Sequence, residues 1–315
     1  MSVSASVDGA ALGPVASATG PSGTALGGPS AWRRLSRAGQ PALALVPFTL
    51  LVLGGLGVPV IAVINEAFRN NNGQLTGSNV SQATHGFYYF GLYNSVKLSL
   101  ITSIIPGVCG AVIAYAIHTS PSNWLRRLTT TLSAVFANFG GVNLTFMFLA
   151  SLSSSGILTV FLVHFGINLN ALGFKIYTFY GVALVYMYFQ IPLMVLVITP
   201  ALSGLKPAWR EAAQNMGASS WRYWRYVGVP VLLPSVLGGT LLLFGSSFAA
   251  YATAESLTAG TIALSPIQIG NLLNGNVISN EVHLGYAIAL MMLLVLSVTM
   301  VAYGLLRRRT SRWLR

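Results

Sequence analysis

The chain has 315 residues, of which 7% are charged and 54% hydrophobic, with 17 Lys and Arg against 5 Asp and Glu. An average soluble domain carries roughly 25% charged residues, so a water-soluble globule is excluded. The apolar content equally excludes a disordered chain.

In chain order, residues 1–31 come first. They are rich in Ala, Gly, Ser and Pro, with Asp8 as a lone charge. This composition cannot build a core and predicts a disordered cytoplasmic tail. A basic n-region is missing and the first apolar run is too long for a signal peptide, so the first span is expected to stay uncleaved. Residues 32–91 are expected to hold that span, Ala42 to Ile64, and an extracytoplasmic loop. A crossing helix needs about 20 apolar residues. Ser95 to Ile117, Leu128 to Ala150, Ile176 to Leu202, Val227 to Thr253 and Leu284 to Leu306 each meet that length. The stretch Ile157 to Leu169, interrupted by His164 and Gly166, reads as an interfacial or re-entrant segment. Residues 92–308 then form a five-helix core with a cytoplasmic loop at 203–230, and 309–315 form a basic tail. The expected fold is an all-α membrane protein of six transmembrane helices, both termini cytoplasmic.

The net charge of +12 would suit phosphate binding, but its distribution points elsewhere. Arg33, Arg34 and Arg37 precede the first span, and Arg126 and Arg127 separate the second from the third. Lys206, Arg210, Arg222 and Arg225 separate the fourth from the fifth, and Arg307, Arg308, Arg309, Arg312 and Arg315 follow the sixth. These are 14 of the 17 basic residues. The positive-inside rule puts them in the cytoplasm, so the excess is an orientation signal and no nucleic acid is expected. Lys97 reads as a residue snorkelling to the outer interface.

Several chemistries lack their residues. Cys109 is the single cysteine, which excludes an internal disulfide and predicts a buried, inert thiol. There is no G-x-x-x-x-G-K-[ST] phosphate loop and no H-E-x-x-H spacing. His85, His118, His164 and His283 are scattered over expected loops. No catalytic residue, metal or bound cofactor is therefore expected, and the chain should not hydrolyse ATP itself. No clustered acid, base or nucleophile supports a lipid-acting enzyme. No carboxylate pair lies inside a span, which weighs against an ion-coupled carrier. Energy would have to come from a partner.

The loop between the fourth and fifth spans is the most informative segment. Pro207 suits the first turn of a helix, and Ala208 to Met216 can continue it. Gly217 accepts the left-handed conformation that stops it, and Ser219 or Ser220 can cap a second helix. Helix, glycine turn and helix would lie across the cytoplasmic face. Trp221, Tyr223 and Trp224 are expected at the lipid interface.

Glu211-Ala212-Ala213, then Gly217, then Val227-x-Val229-Pro230 resembles the EAA motif, E-A-A-x(3)-G-x(9)-I-x-L-P, of type I ABC importer permeases. The spacing fits without a gap, and the two valines depart only in size. The resemblance covers about Asn94 to Arg308. It implies a coupling helix that docks in a groove of an ATP-binding subunit, with Arg210, Glu211, Ala212, Ala213, Gly217, Ser219 and Pro230 carrying the coupling. It also implies the partners: two ATP-binding subunits that hold ATP and Mg, a second permease subunit (identical or homologous), an extracytoplasmic solute-binding protein and membrane lipid. The location implied is the bacterial inner membrane.

Polar groups inside spans are candidates for the pathway: Asn138, Asn143, Tyr186, Gln190, Ser247 and Tyr251, with Glu255 just beyond. Each could instead bridge helices. Pro106, Pro192, Pro230 and Pro234 are expected to kink or end helices. Phe248-Ala-Ala-Tyr-Ala-Thr-Ala-Glu-Ser-Leu and Pro266-Ile-Gln-Ile-Gly-Asn resemble the polyamine branch of the family. Glu66, Glu255 and Glu281, expected outside, suit a cation, so spermidine or putrescine is the expected cargo. Aminoethylphosphonate, thiamine, ferric iron or a sugar on the same machinery, or a channel or ion-coupled carrier, are the alternatives.

Overall fold

The computed structural model describes residues 46–169, 171–274 and 281–311. The expected N-terminal tail, the start of the first expected span and the last four residues lie outside the described residues. Twelve helical stretches follow in order: α1 Val46–Ala67, α2 Ser78–Ala83, α3 Gly86–Thr119, α4 Asn123–Asn138, α5 Val142–Leu152, α6 Ile157–His164, α7 Phe179–Ser203, α8 Pro207–Asn215, α9 Ser220–Phe248, α10 Ala252–Thr258, α11 Ser265–Leu273 and α12 Val282–Ser311. Among the described residues the sole β feature is a bridge between Arg69 and Leu75, so the fold is all-α.

Among the described residues, six stretches are long and apolar enough to cross a membrane: Val46–Ala67, Gly86–Thr119, Val142–His164, Phe179–Ser203, Ser220–Phe248 and Val282–Arg308. The chain divides into two compact units between Val58 and Pro59. In the first, the described residues are helical and include a π-helical turn at Leu53–Gly57. The second holds the core.

That core is built on the small face of α3. Gly91, Ser95, Ser99, Thr102, Ser103, Pro106, Gly107, Gly110 and Ala114 are all buried. They recur at helical spacing and bring α7 and α9 close. Lipid is as apolar as leucine, so helices in it associate through close packing and hydrogen bonds rather than hydrophobicity. At the crossing, a Cβ added to Gly110 would stand 2.6 Å from Met194 Cβ, and one added to Gly239 would stand 2.7 Å from Met194 Sδ. Met194 of α7 is thus clasped between glycines of α3 and α9. Around this centre, α4 packs on α7, α5 on α10, and α12 on α9, α11 and α2.

The third expected span differs. Leu128 to Ala150 is not one helix: α4 ends at Asn138 and α5 begins at Val142. Between them Gly141 takes φ +75°, ψ −149°, a region essentially restricted to glycine. Gly140 adds to the break. The apolar run long enough to cross is Val142–His164, so the stretch expected to be merely interfacial supplies its second half. Hydrophobic length located the apolar run, but the Gly-Gly break reset its start. Cys109 is also corrected: it is exposed, because it lies off the buried stripe of α3.

Candidate functional site

Two regions carry the candidate residues. The first is the loop from Ser203 to Pro230. Pro207 occupies the first turn of α8, where its missing N–H leaves no bond unmade. Gly217 follows with φ +76° and open space about its Cβ position. Its N–H donates to Gln214 O at 2.9 Å, and Ala218 N–H donates to Ala213 O at 2.9 Å. These reverse bonds close the carbonyl end of α8. Ser219 then caps α9, its Oγ accepting from Arg222 N–H at 3.4 Å.

Pro230 cannot donate to Tyr226 O, and its ring would crowd that carbonyl. The helix relieves both through a π-helical turn at Trp224–Gly228. Gly228 is required there, because a Cβ would stand 2.5 Å from the Trp224 ring. Trp224 itself meets Tyr115 of α3 edge-on at 4.8 Å, which ties the start of α9 to the bundle.

Exposure within this loop is selective. Arg210, Glu211, Ala212, Gly217 and Ser219 are exposed, Ala213 is buried, and Pro230 is half-buried. The expected aromatic face is corrected in part. Tyr223 is buried and Trp224 half-buried, and the exposed rings of the loop are Trp209, Trp221 and Tyr226.

The second region is a polar seam where α3, α7, α9 and α10 meet. Tyr186 Oη donates to Ala250 O at 2.9 Å, satisfying a carbonyl beyond the end of α9. Gln190 Nε2 donates to Leu243 O at 3.0 Å, while Gln190 Oε1 is buried without a partner. Thr102 Oγ1 donates to Leu98 O at 2.8 Å, which leaves Ser247 Oγ as donor in their 2.6 Å contact. Thr253 holds the α4–α5 break from both sides. Its Oγ1 accepts from Gly141 N–H at 3.1 Å, and its carbonyl accepts from Thr145 Oγ1 at 3.3 Å.

The structure therefore brings Tyr186, Gln190 and Ser247 together as buried bridges between helices. It leaves Asn138, Asn143 and Tyr251 exposed, with Glu255 half-buried. Asn138 Nδ2 donates back to Ala134 O of its own helix at 2.9 Å. Glu255 Oε2 is buried without a partner. Thr102, Thr145 and Thr253 were absent from the sequence candidates. For Thr102 a signal existed: Ser95, Ser99, Thr102 and Ser103 share one helical face.

At another corner, His283 Nδ1 stands 3.2 Å from Glu66 Oε2 and 3.2 Å from Glu66 O. Both partners accept, so Nδ1 carries a proton. His283 is thus part of a helix start with a carboxylate partner, not an isolated loop histidine. Lys97 is exposed, its ammonium 5.3 Å from the centre of the Phe179 ring.

Residues 107–312 match the family described as binding-protein-dependent transport system inner membrane component. The chain is 30% identical over 168 residues to the sulfate transport system permease protein CysT of Salmonella typhimurium, covering 52% of this chain and 57% of that protein. The protein of the same name from Escherichia coli is 29% identical over 168 residues, with the same 52% and 57% coverage. The chain thus spans little more than half the length of these relatives. Among solved structures it resembles a bacterial ABC transporter involved in the import of the acidic polysaccharide alginate, with a TM-score of 0.69, 17% identity, and coverage of 88% of this chain and 98% of that one. At that identity the likeness is one of fold.

Proposed function

The chain belongs to the binding-protein-dependent transport system inner membrane components, and from that premise we propose that it is the translocating subunit of an ATP-driven importer. The observation that carries the mechanism is the exposed helix–Gly217–helix element between two membrane-length helices. Its Glu211 and Arg210 offer charges of both signs to a partner, and Ala212 allows close approach. In this reading, two ATP-binding subunits holding ATP and Mg dock on two such loops, one from this chain and one from a second permease, identical or homologous. Their closure draws the loops together and switches the pathway between outward and inward access. An extracytoplasmic binding protein delivers the solute. Both termini and the loop face the cytoplasm of a bacterial inner membrane.

For the cargo we propose a small oxyanion of the sulfate type. The Salmonella typhimurium and Escherichia coli relatives bear that name, and the polyamine expectation finds no support in them. Glu66, one of three carboxylates on which the cationic expectation rested, has His283 as its partner.

The test is co-reconstitution in liposomes with the ATPase and the binding protein. Sulfate should stimulate ATP hydrolysis and drive uptake, and both should vanish without the ATPase. Stimulation by spermidine and not sulfate overturns the cargo. Uptake that survives loss of the ATPase overturns the importer reading in favour of a channel or carrier.

A further inference from the structure

A groove of about 380 Å³ runs along the outer surface where α3, α9 and α12 meet. Its direction follows from the helix contacts. Tyr303 Oη donates to Pro234 O at 3.2 Å, whereas Met292 clusters with Phe244 and Phe248. The two helices are therefore antiparallel, and the groove extends from the level of Phe244 towards the C-terminal end of α12.

The wall contains four hydroxyls, and each already has an acceptor. Ser103 Oγ donates to Leu100 O at 3.2 Å, Thr240 Oγ1 to Val236 O at 2.9 Å, Thr299 Oγ1 to Leu296 O at 2.8 Å, and Tyr303 Oη to Pro234 O. Glycines permit this inward seating: a Cβ on Gly107 would stand 2.7 Å from Thr240 Oγ1, and one on Gly238 would stand 2.7 Å from Tyr303 Oη. The wall thus presents hydrocarbon and no unmet donor. A transmembrane helix about 10 Å across could only lie over so small a groove, whereas an extended acyl chain can enter it.

The end of the groove is charged. Leu306 lines it, and the exposed Arg307 and Arg308 follow it directly in the helix. By the antiparallel register, Arg307 lies near the level of Pro230. The exposed Arg225 and Tyr226 of α9 follow one turn further in the same direction. Cations from two helices, with an aromatic ring at their side, therefore stand at the mouth of a hydrocarbon slot. We propose that this groove is a binding site for one anionic phospholipid, its acyl chain along α3, α9 and α12 and its headgroup phosphate at Arg307, Arg308 and Arg225. Clustered arginines beside a span attract anionic headgroups. The site requires neither the importer reading nor a particular cargo.

The experiment uses the full chain in nanodiscs of equal phosphatidylglycerol and phosphatidylcholine, extracted into detergent, with the retained lipid identified by mass spectrometry. Phosphatidylglycerol should be retained in preference. Arg307→Gln and Arg308→Gln should each lower that preference about fivefold. Ile104→Trp, at an exposed position in the groove wall, should expel the retained lipid with every arginine in place. Circular dichroism checks that each variant keeps its helix content. Equal retention of the two lipids, or retention unchanged by Ile104→Trp, overturns the proposal. So does a cross-link from position Leu100 to another protein chain, in place of lipid, in the membrane.

Discussion

The loop at 203–230 and the seam between α3, α7, α9 and α10 are built by opposite means. In the loop, the contacts that shape its turns are local, and Trp224 on Tyr115 of α3 ties it to the bundle. Ser219 caps three residues ahead, Gly217 closes the end of the helix before it, and Pro230 opens a π-helical turn just before itself. Of the residues proposed to couple, Arg210, Glu211, Ala212, Gly217 and Ser219 are left exposed. In the seam, the bridges between helices join distant parts of the chain, and the polar side chains are buried. A loop built this way can change its surface without losing its shape. A seam built this way cannot lose a group without loosening the bundle. Substitutions should therefore separate into coupling effects and stability effects.

The largest effect is expected in the loop. Glu211→Lys should lower binding-protein-stimulated ATP hydrolysis by about tenfold or more, since a reversed charge at a docking surface is repelled. Gly217→Val should act likewise, because φ +76° disfavours a branched side chain. Both should leave the bundle's unfolding midpoint in detergent nearly unchanged. Normal coupling in both would remove the loop from the mechanism, and a large fall in the midpoint would erase the contrast with the seam.

Next is Gly110→Val, at the clasp on Met194. Overpacking of this kind costs about 1–3 kcal/mol, so the midpoint and the yield of monodisperse protein should fall. An unchanged midpoint would mean that the three-helix crossing is looser than the 2.6 Å approach to Met194 requires. Tyr186→Phe is smaller. It removes the donor to Ala250 O, a loss of about 1 kcal/mol, and the ring still fills its site. A fall in uptake without a fall in the midpoint would instead make Tyr186 a pathway residue. The smallest effect belongs to Thr102 and Ser247. A double-mutant cycle with Thr102→Val and Ser247→Ala should give a coupling of about 0.6 kcal/mol, the average for such bonds in membranes. Zero coupling would dissolve that part of the seam.

Much of the loop was legible in the sequence. Pro207, Gly217 and Ser219 act on backbone groups within a few residues, and their preferences are intrinsic. Pro230 was equally legible as a disturbance, although the π-helical turn that answers it was not. The spans were legible because apolar length is itself local, yet the Gly140-Gly141 break moved one of them. Hydropathy averages over the dihedral angles at which a helix stops. The burial of Tyr223 and Trp224 was hidden because it depends on packing against distant helices, as Trp224 does on Tyr115.

The sequence by itself determined an all-α chain with six membrane-length helices and one capped helix–turn–helix between the last two long pairs. Those features depend on composition and on contacts a few residues apart. The tertiary structure alone decided which polar residues are buried and whom they meet. Tyr186 finds a carbonyl 64 residues away, Gln190 one 53 residues away, and Ser247 a hydroxyl 145 residues away. No local preference encodes such a meeting. It follows from helices brought into contact by a stripe of small residues, where a polar group removed from water must find its partner within the protein.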